Sequence, residues 1–193
     1  MKSVAIFCGS SPGSDKKIIK AAYQTGAYLA EKQMTLVYGG GKVGLMGEVA
    51  QGALDTKGNV IGIIPHFLKQ KEIHHLGLSK LLLVDTMHER KLQMHELSDG
   101  IIMLPGSFGT LEEFFEMLTW AQLGLHQKPI GILNVNGYYN PLIEMFDKMV
   151  SNRFLKPENK GMVLIDGTID KLLEKMENYS GHGVPKWMDR HQT

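Results

Sequence analysis

The chain has 193 residues, 43% of them hydrophobic and 21% charged, enough for one domain to bury a substantial core without disulfides or metals. Its formal net charge is +1, with Lys and Arg scattered, so the footprint of a nucleic-acid binder is missing and any phosphate it binds belongs to a small molecule. The single cysteine, Cys8, excludes an intramolecular disulfide and suits a reducing, cytoplasmic setting, and no apolar run reaches the roughly 20 residues that span a bilayer.

The chain opens on an apolar run ending at Cys8, too short for a secretory signal and closed by the turn-like Gly9-Ser10-Ser11-Pro12-Gly13. It reads as the first strand, over 3–8, with Cys8 a small buried hydrophobe without a catalytic role. Further strands are expected at 35–38, 59–64, 81–84, 100–104, 129–133 and 162–165. Helical periodicity fills the intervals at 15–32, 44–57, 86–97, 110–124, 139–152 and 168–178. Strands such as Ile101-Ile102-Met103-Leu104 are apolar throughout, as required when helices cover both faces. The expected fold is α/β: a Rossmann-like, doubly wound parallel sheet of about seven strands in a single domain over 1–180. The aperiodic tail at 181–193 is expected either to be mobile or to pack on a partner.

In such a sheet ligands bind beyond the carboxyl ends of the strands. Glycine-rich loops fall there: Gly9 to Ser14, Gly39-Gly40-Gly41-Lys42-Val43-Gly44, and Pro105-Gly106-Ser107-Phe108-Gly109-Thr110. Glycines between a strand and a helix let backbone N–H groups approach an anion, so phosphate binding is the natural reading. Gly39-x-Gly41-x-x-Gly44 formally fits the dinucleotide fingerprint, but it follows the second strand, and Ile64-Pro65 stands where an acidic residue would be needed. The lysine of a Walker-type loop is likewise absent.

Two of the strand-end helix starts also carry a capping signature. Thr110-x-x-Glu113 has the spacing of a capping box, in which Glu113 serves only to satisfy a backbone N–H. Thr86-x-x-Glu89 is another, and it sets Arg90 and Lys91 on the opening turns of a helix at the same rim, as phosphate or ribose ligands or as a solvated basic face. Met87 reads as core or pocket wall. The histidines His74, His75, His88 and His95 lack metal-ligand spacing, so no metal is expected.

These residues together resemble the LONELY GUY (LOG) family, once widely labelled possible lysine decarboxylases. The family pattern P-G-G-x-G-T-x-x-E matches Pro105 to Glu113, with Ser107 replacing the second glycine, and Arg90-Lys91 supplies the companion R-K element. Tyr38-Gly39-Gly40-Gly41 with Gly44-Leu45-Met46-Gly47 looks like the family's other glycine loop, and the likeness runs from Cys8-Gly9-Ser10 to Asn136-Gly137-Tyr138. The resemblance implies a Rossmann-like homodimer without a cofactor, cleaving plain or N6-modified adenosine 5′-monophosphate, with Arg90 and Glu113 as catalytic pair. Gly9, Ser10, Gly40, Gly41, Met87, Lys91, Gly106, Ser107, Gly109 and Thr110 are the expected substrate contacts. If position 107 requires φ > 0, serine there costs strain of about 1 kcal/mol.

Glycosidic cleavage passes through an oxocarbenium-like ribose that needs a nearby carboxylate and a positioned water, and Glu113 is the candidate for both. Arg90, with its planar fork, is expected to orient Glu113 while bridging phosphate or ribose hydroxyls. Glu116, on nearly the same helix face, is the expected neighbour of Glu113. Other readings stay open. A nucleotide carrier of the same fold needs the glycine loops but not Glu113, and a small dimeric scaffold needs neither. A lysine decarboxylase needs pyridoxal phosphate on a lysine, for which no motif stands in the chain.

Overall fold

Alternation along the first strand divides the core. β1 (Ser3–Phe7) sends Val4 and Ile6 to one side of the sheet and Ala5 and Phe7 to the other, and each set joins a separate buried cluster. The computed structural model describes residues 1–69 and 74–181. The tail at 182–193 lies outside the described residues.

The first cluster is roofed by α1 (Lys16–Glu31), α2 (Gly44–Asp55) and α8 (Ile169–Glu177), which contribute Leu29, Val49 and Leu172. The second is roofed by α4 (Met87–Glu96), α5 (Phe108–Gln122) and α6 (Asn140–Ser151), which contribute Met94, Phe114 and Phe146. With helices on both faces the central strands have no solvent side, which is why β5 (Gly100–Met103) and β6 (Ile130–Leu133) are buried at every residue.

Between them in sequence lie β2 (Thr35–Tyr38), β3 (Val60–Pro65), the short α3 (His66–Lys69) and β4 (Lys80–Val84); a 3-10 turn (Val135–Gly137) precedes α6, and α7 (Pro157–Lys160) and β7 (Val163–Asp166) precede α8. The sheet has seven strands in the order β4-β3-β2-β1-β5-β6-β7. Every pairing is parallel. The short α3, α7 and the 3-10 turn carry too few residues for helical periodicity to show.

This order positions the site. The chain steps outward from β1 to β4, then returns to lay β5 against the other side of β1. The direction of winding reverses there, opening a crevice between the carboxyl ends of β1 and β5. Gly9 N–H donates to the Pro105 carbonyl at 3.0 Å, tying the two loops together at its floor. Among the described residues no helix is long and apolar enough to cross a membrane.

Candidate active site

The loop after β5 enters its helix earlier than the sequence suggests. Ser107 is the N-cap of α5, with extended backbone (φ −116°, ψ −152°) and no side-chain cap hydrogen bond. Thr110 and Glu113 are therefore both inside the helix, and the capping-box reading of the pair is wrong. Two consequences follow. Glu113 is not committed to a backbone N–H, and the first N–H groups of α5 are left by Ser107 for another acceptor. The turn itself is tight: a Cβ on Gly106 would sit 2.1 Å from Thr110 Oγ1.

The start of α4 behaves as its sequence indicates. Thr86 Oγ1 accepts from Glu89 N–H at 3.1 Å, and Glu89 Oε2 accepts from Asp85 N–H at 2.8 Å. With its end fixed, α4 carries Arg90 inward, where it is only 6% exposed. Arg90 Nη2 donates to the Gly39 carbonyl at 3.0 Å, Nη1 lies 3.8 Å from Met87 Sδ, and Nε is buried with no partner among the described residues. Among the described residues no hydrogen bond or ion pair joins Arg90 to Glu113, so the orienting contact expected between them is replaced by a contact to the end of β2. Lys91, next in sequence, points toward α5 instead. Its ammonium pairs with Glu112 and, at 2.9 Å, with Glu116.

Burial pushes the Glu113 carboxyl up from an ordinary 4.5 to about 7. Arg90 and Lys91 pull it back, while Glu112 and Glu116 push it further up. A carboxyl in that range exists in both protonation states near neutrality, as general acid-base work requires. Cys8 lies close by, but burial drives its thiol far above the ordinary range, leaving it an inert part of the wall.

Two cavities meet in the crevice. The smaller, about 220 Å³, is lined by Arg90, Glu113, Gly39, Met87, Gly109 and Thr110 among others. The larger, about 400 Å³, lies on the far side of the β5 loop against Gly9 to Asp15, Gly106, Asn136 and Tyr138. Ser10 and Ser107 line both. Size does not decide between them: the shifted carboxyl and the buried arginine are in the smaller. Tyr138 Oη donates to the Gly106 carbonyl at 2.7 Å, buttressing the loop from the larger side. Among the described residues no group of three or more His, Cys, Asp or Glu side chains could share a metal ion.

The possible lysine decarboxylase family model matches residues 46–176. A probable cytokinin riboside 5′-monophosphate phosphoribohydrolase of Oryza sativa subsp. japonica is 45% identical over 177 residues, which cover 92% of this chain and 79% of the relative. A cytokinin riboside 5′-monophosphate phosphoribohydrolase of Arabidopsis thaliana is 43% identical over 179 residues, covering 93% of this chain and 83% of the relative. The chain belongs to the LOG family. Its fold is shared more widely. A molybdenum cofactor binding protein from Rippkaea orientalis superposes with a TM-score of 0.69 at 22% identity, covering 91% of this chain and 95% of the other. A Moco carrier protein from Chlamydomonas reinhardtii does so with a TM-score of 0.70 at 16% identity, covering 92% and 96%.

Set against the LOG motifs, the sequence-derived site residues fall into three groups, with Ser10 and Ser107 shared by both cavities. Ser10, Met87, Arg90, Ser107, Gly109, Thr110 and Glu113 line the smaller cavity together. Gly9 and Gly106 line the larger one. Gly40, Gly41 and Lys91 line neither. Gly40 takes φ +77° and its carbonyl accepts from His75 N–H at 3.1 Å, while Gly41 bridges to His74, so both serve the turn that packs the segment before β4. Gly44, at φ +67°, lies where a Cβ would come 2.2 Å from the Ser10 carbonyl, so this loop supports the β1 loop from behind. Ser107 costs no left-handed strain, because its φ is negative. Cys8, Met46 and Leu68 also line the smaller cavity, and so does Gly39, which was expected in the second glycine loop but not among the substrate contacts.

Proposed function

We propose that this protein hydrolyses the N-glycosidic bond of adenosine 5′-monophosphate, plain or N6-substituted, releasing the free base and ribose 5-phosphate. The reading is carried by one juxtaposition. Glu113, held near 7, shares a cavity of about 220 Å³ with Arg90 and with the uncapped N-terminus of α5. The relatives' names, phosphoribohydrolases acting on a nucleoside 5′-monophosphate, support it.

In this mechanism the 5′-phosphate sits on the N–H groups of Gly106, Ser107, Gly109 and Thr110, where the helix end supplies partial positive charge. Anchoring the phosphate aligns C1′ beside Glu113, converting remote binding energy into orientation. As the C1′–N9 bond breaks, the ionised carboxylate stabilises the cationic ribose and takes a proton from the attacking water; that water's oxygen becomes the C1′ hydroxyl, and a proton goes to the departing base. Arg90 contributes its free Nε–H and Nη1 to phosphate or ribose oxygens. Lys91 contributes no substrate contact and acts on Glu113 only through charge. Water is the nucleophile, so the chemistry calls on no cofactor.

The same reading takes the protein as a cytoplasmic homodimer. Leu83 on β4, Met87 and Leu92 on α4 and Leu97 at its C-cap are each more than a third exposed, apolar surface that a second copy would cover. Light scattering of the purified protein checks the dimer. The activity is tested by a panel of nucleoside monophosphates, nucleosides and di- and triphosphates, with base release followed by chromatography. Monophosphates are expected to be cleaved far faster than nucleosides, and equal rates on AMP and adenosine would remove the phosphate anchor.

A further inference from the structure

Arg90 is seated in an unusual way. Its guanidinium crosses from α4 to the end of β2 and rests on the backbone of Gly39, donating Nη2 to the Gly39 carbonyl at 3.0 Å. A Cβ built on Gly39 would lie 1.8 Å from Nη2, 2.9 Å from Cζ and 3.1 Å from Met46 Sδ. The guanidinium thus occupies the volume that any side chain at position 39 would need. Conformation does not explain the glycine: its neighbour Gly40 has φ +77°, whereas Gly39 is not among the positive-φ residues. What position 39 requires is space.

We propose that Gly39 is a positioning residue for the reaction: the absence of its side chain makes the slot that seats the Arg90 guanidinium beside Glu113. The proposal rests on the glycosidase reading for its kinetic consequence, though the slot itself is geometric. On the protein side the guanidinium is fixed by the Gly39 carbonyl and by Met87 Sδ, with Nε left for a ligand oxygen. Even a methyl group at position 39 evicts it. The colliding atoms are the far end of a flexible side chain, so the backbone need not move and the fold survives. What is lost is the placement of a five-donor fork, and misplacement by about 1 Å at a reacting centre costs on the order of 10²-fold in rate. Moving the cation away from Glu113 also removes a charge that holds that carboxyl down.

The experiment is a double-mutant cycle of Gly39→Ala and Arg90→Ala, read as base release from AMP between about pH 5 and 9 and as thermal unfolding. Gly39→Ala is expected to melt within a few degrees of wild type, to lose at least roughly 10-fold in turnover, and to lose activity at a higher pH than wild type on acidification. In the Arg90→Ala background the same substitution should change nothing beyond about twofold, because the atoms it displaces are gone. An equal loss in both backgrounds overturns the proposal, as does wild-type turnover in Gly39→Ala. Should Gly39→Ala fail to fold, the double variant is expected to fold; a double variant that also fails overturns the slot. A wild type that releases no base defeats the glycosidase reading and leaves the slot to be judged by the signal of the Arg90 Nη2–H that donates to the Gly39 carbonyl in nitrogen-15 NMR. That signal should be protected from exchange in wild type and lost in Gly39→Ala, and its unchanged protection would overturn the slot.

Discussion

Replacing Glu113 by glutamine separates a catalytic carboxyl from a structural one, because it keeps size and hydrogen-bonding capacity while removing the charge. In the fold the Glu113 carboxyl is raised from 4.5 to about 7. A raised carboxyl stabilises the fold only while protonated: its contribution is complete below its unfolded value and is lost as pH rises through 7. The shift corresponds to about 3 kcal/mol at 1.36 kcal/mol per unit, discounted to about 2 kcal/mol because Glu113 is only half-buried. Glutamine stays neutral and avoids that loss. For a chain of this size about 2 kcal/mol moves the midpoint by roughly 4–8 °C. Glu113→Gln is therefore expected to melt close to wild type at pH 5 and several degrees higher at pH 8, while turnover falls about 10²-fold or more with nucleotide still bound. Calorimetry at both pH values and a base-release assay check this. A variant less stable than wild type at pH 8, or one that keeps its turnover, would refute the reasoning and return the search for the carboxylate to Glu116 or Glu89.

Gly109→Val should leave the fold intact, since a Cβ there meets nothing within 4 Å, while raising the Michaelis constant for AMP by roughly 10-fold or more through blocked approach to the α5 N-terminus; unchanged steady-state kinetics would make the loop a structural turn. Lys91→Met should free the charges of Glu112 and Glu116 to raise Glu113 further, shifting the acid limb of kcat/KM to higher pH and lowering the midpoint by roughly a few degrees. Its pH profile decides, since a direct phosphate contact would raise KM without moving the limb. Cys8, buried and with its thiol driven far up, should resist alkylation in the native protein and react on unfolding, and Cys8→Ala should retain activity within a few-fold. Mass spectrometry after brief iodoacetamide treatment and an activity assay check both.

The fold was legible because its strands are apolar on both faces and its helices long enough to show a period; the capping box at Thr86 was legible because Thr and Glu there satisfy only backbone groups. The box at Thr110 misled for a physical reason. The same spacing arises when a helix begins before its hydroxyl residue, and only the backbone of Ser107 shows that it does. Arg90 and Glu113 could be picked out as residues, but not their relation. Arginine reaches far enough that its partner is set by tertiary packing, here the Gly39 carbonyl from a distant strand. The partners of Lys91 were hidden on the same account, since adjacent helical residues point about 100° apart and Glu112 and Glu116 lie on α5. Among three consecutive glycines the sequence could not tell one needed for φ from one needed for space, and Gly40 and Gly39 are one of each.

The most direct test of the account is to incubate the purified protein with AMP and no added phosphate, and to quantify adenine and ribose 5-phosphate against AMP consumed. The account expects the two products in one-to-one ratio with the AMP lost, at a rate that falls about 10²-fold in Glu113→Gln. AMP that binds without being consumed, or cleavage that Glu113→Gln leaves unchanged, would contradict it.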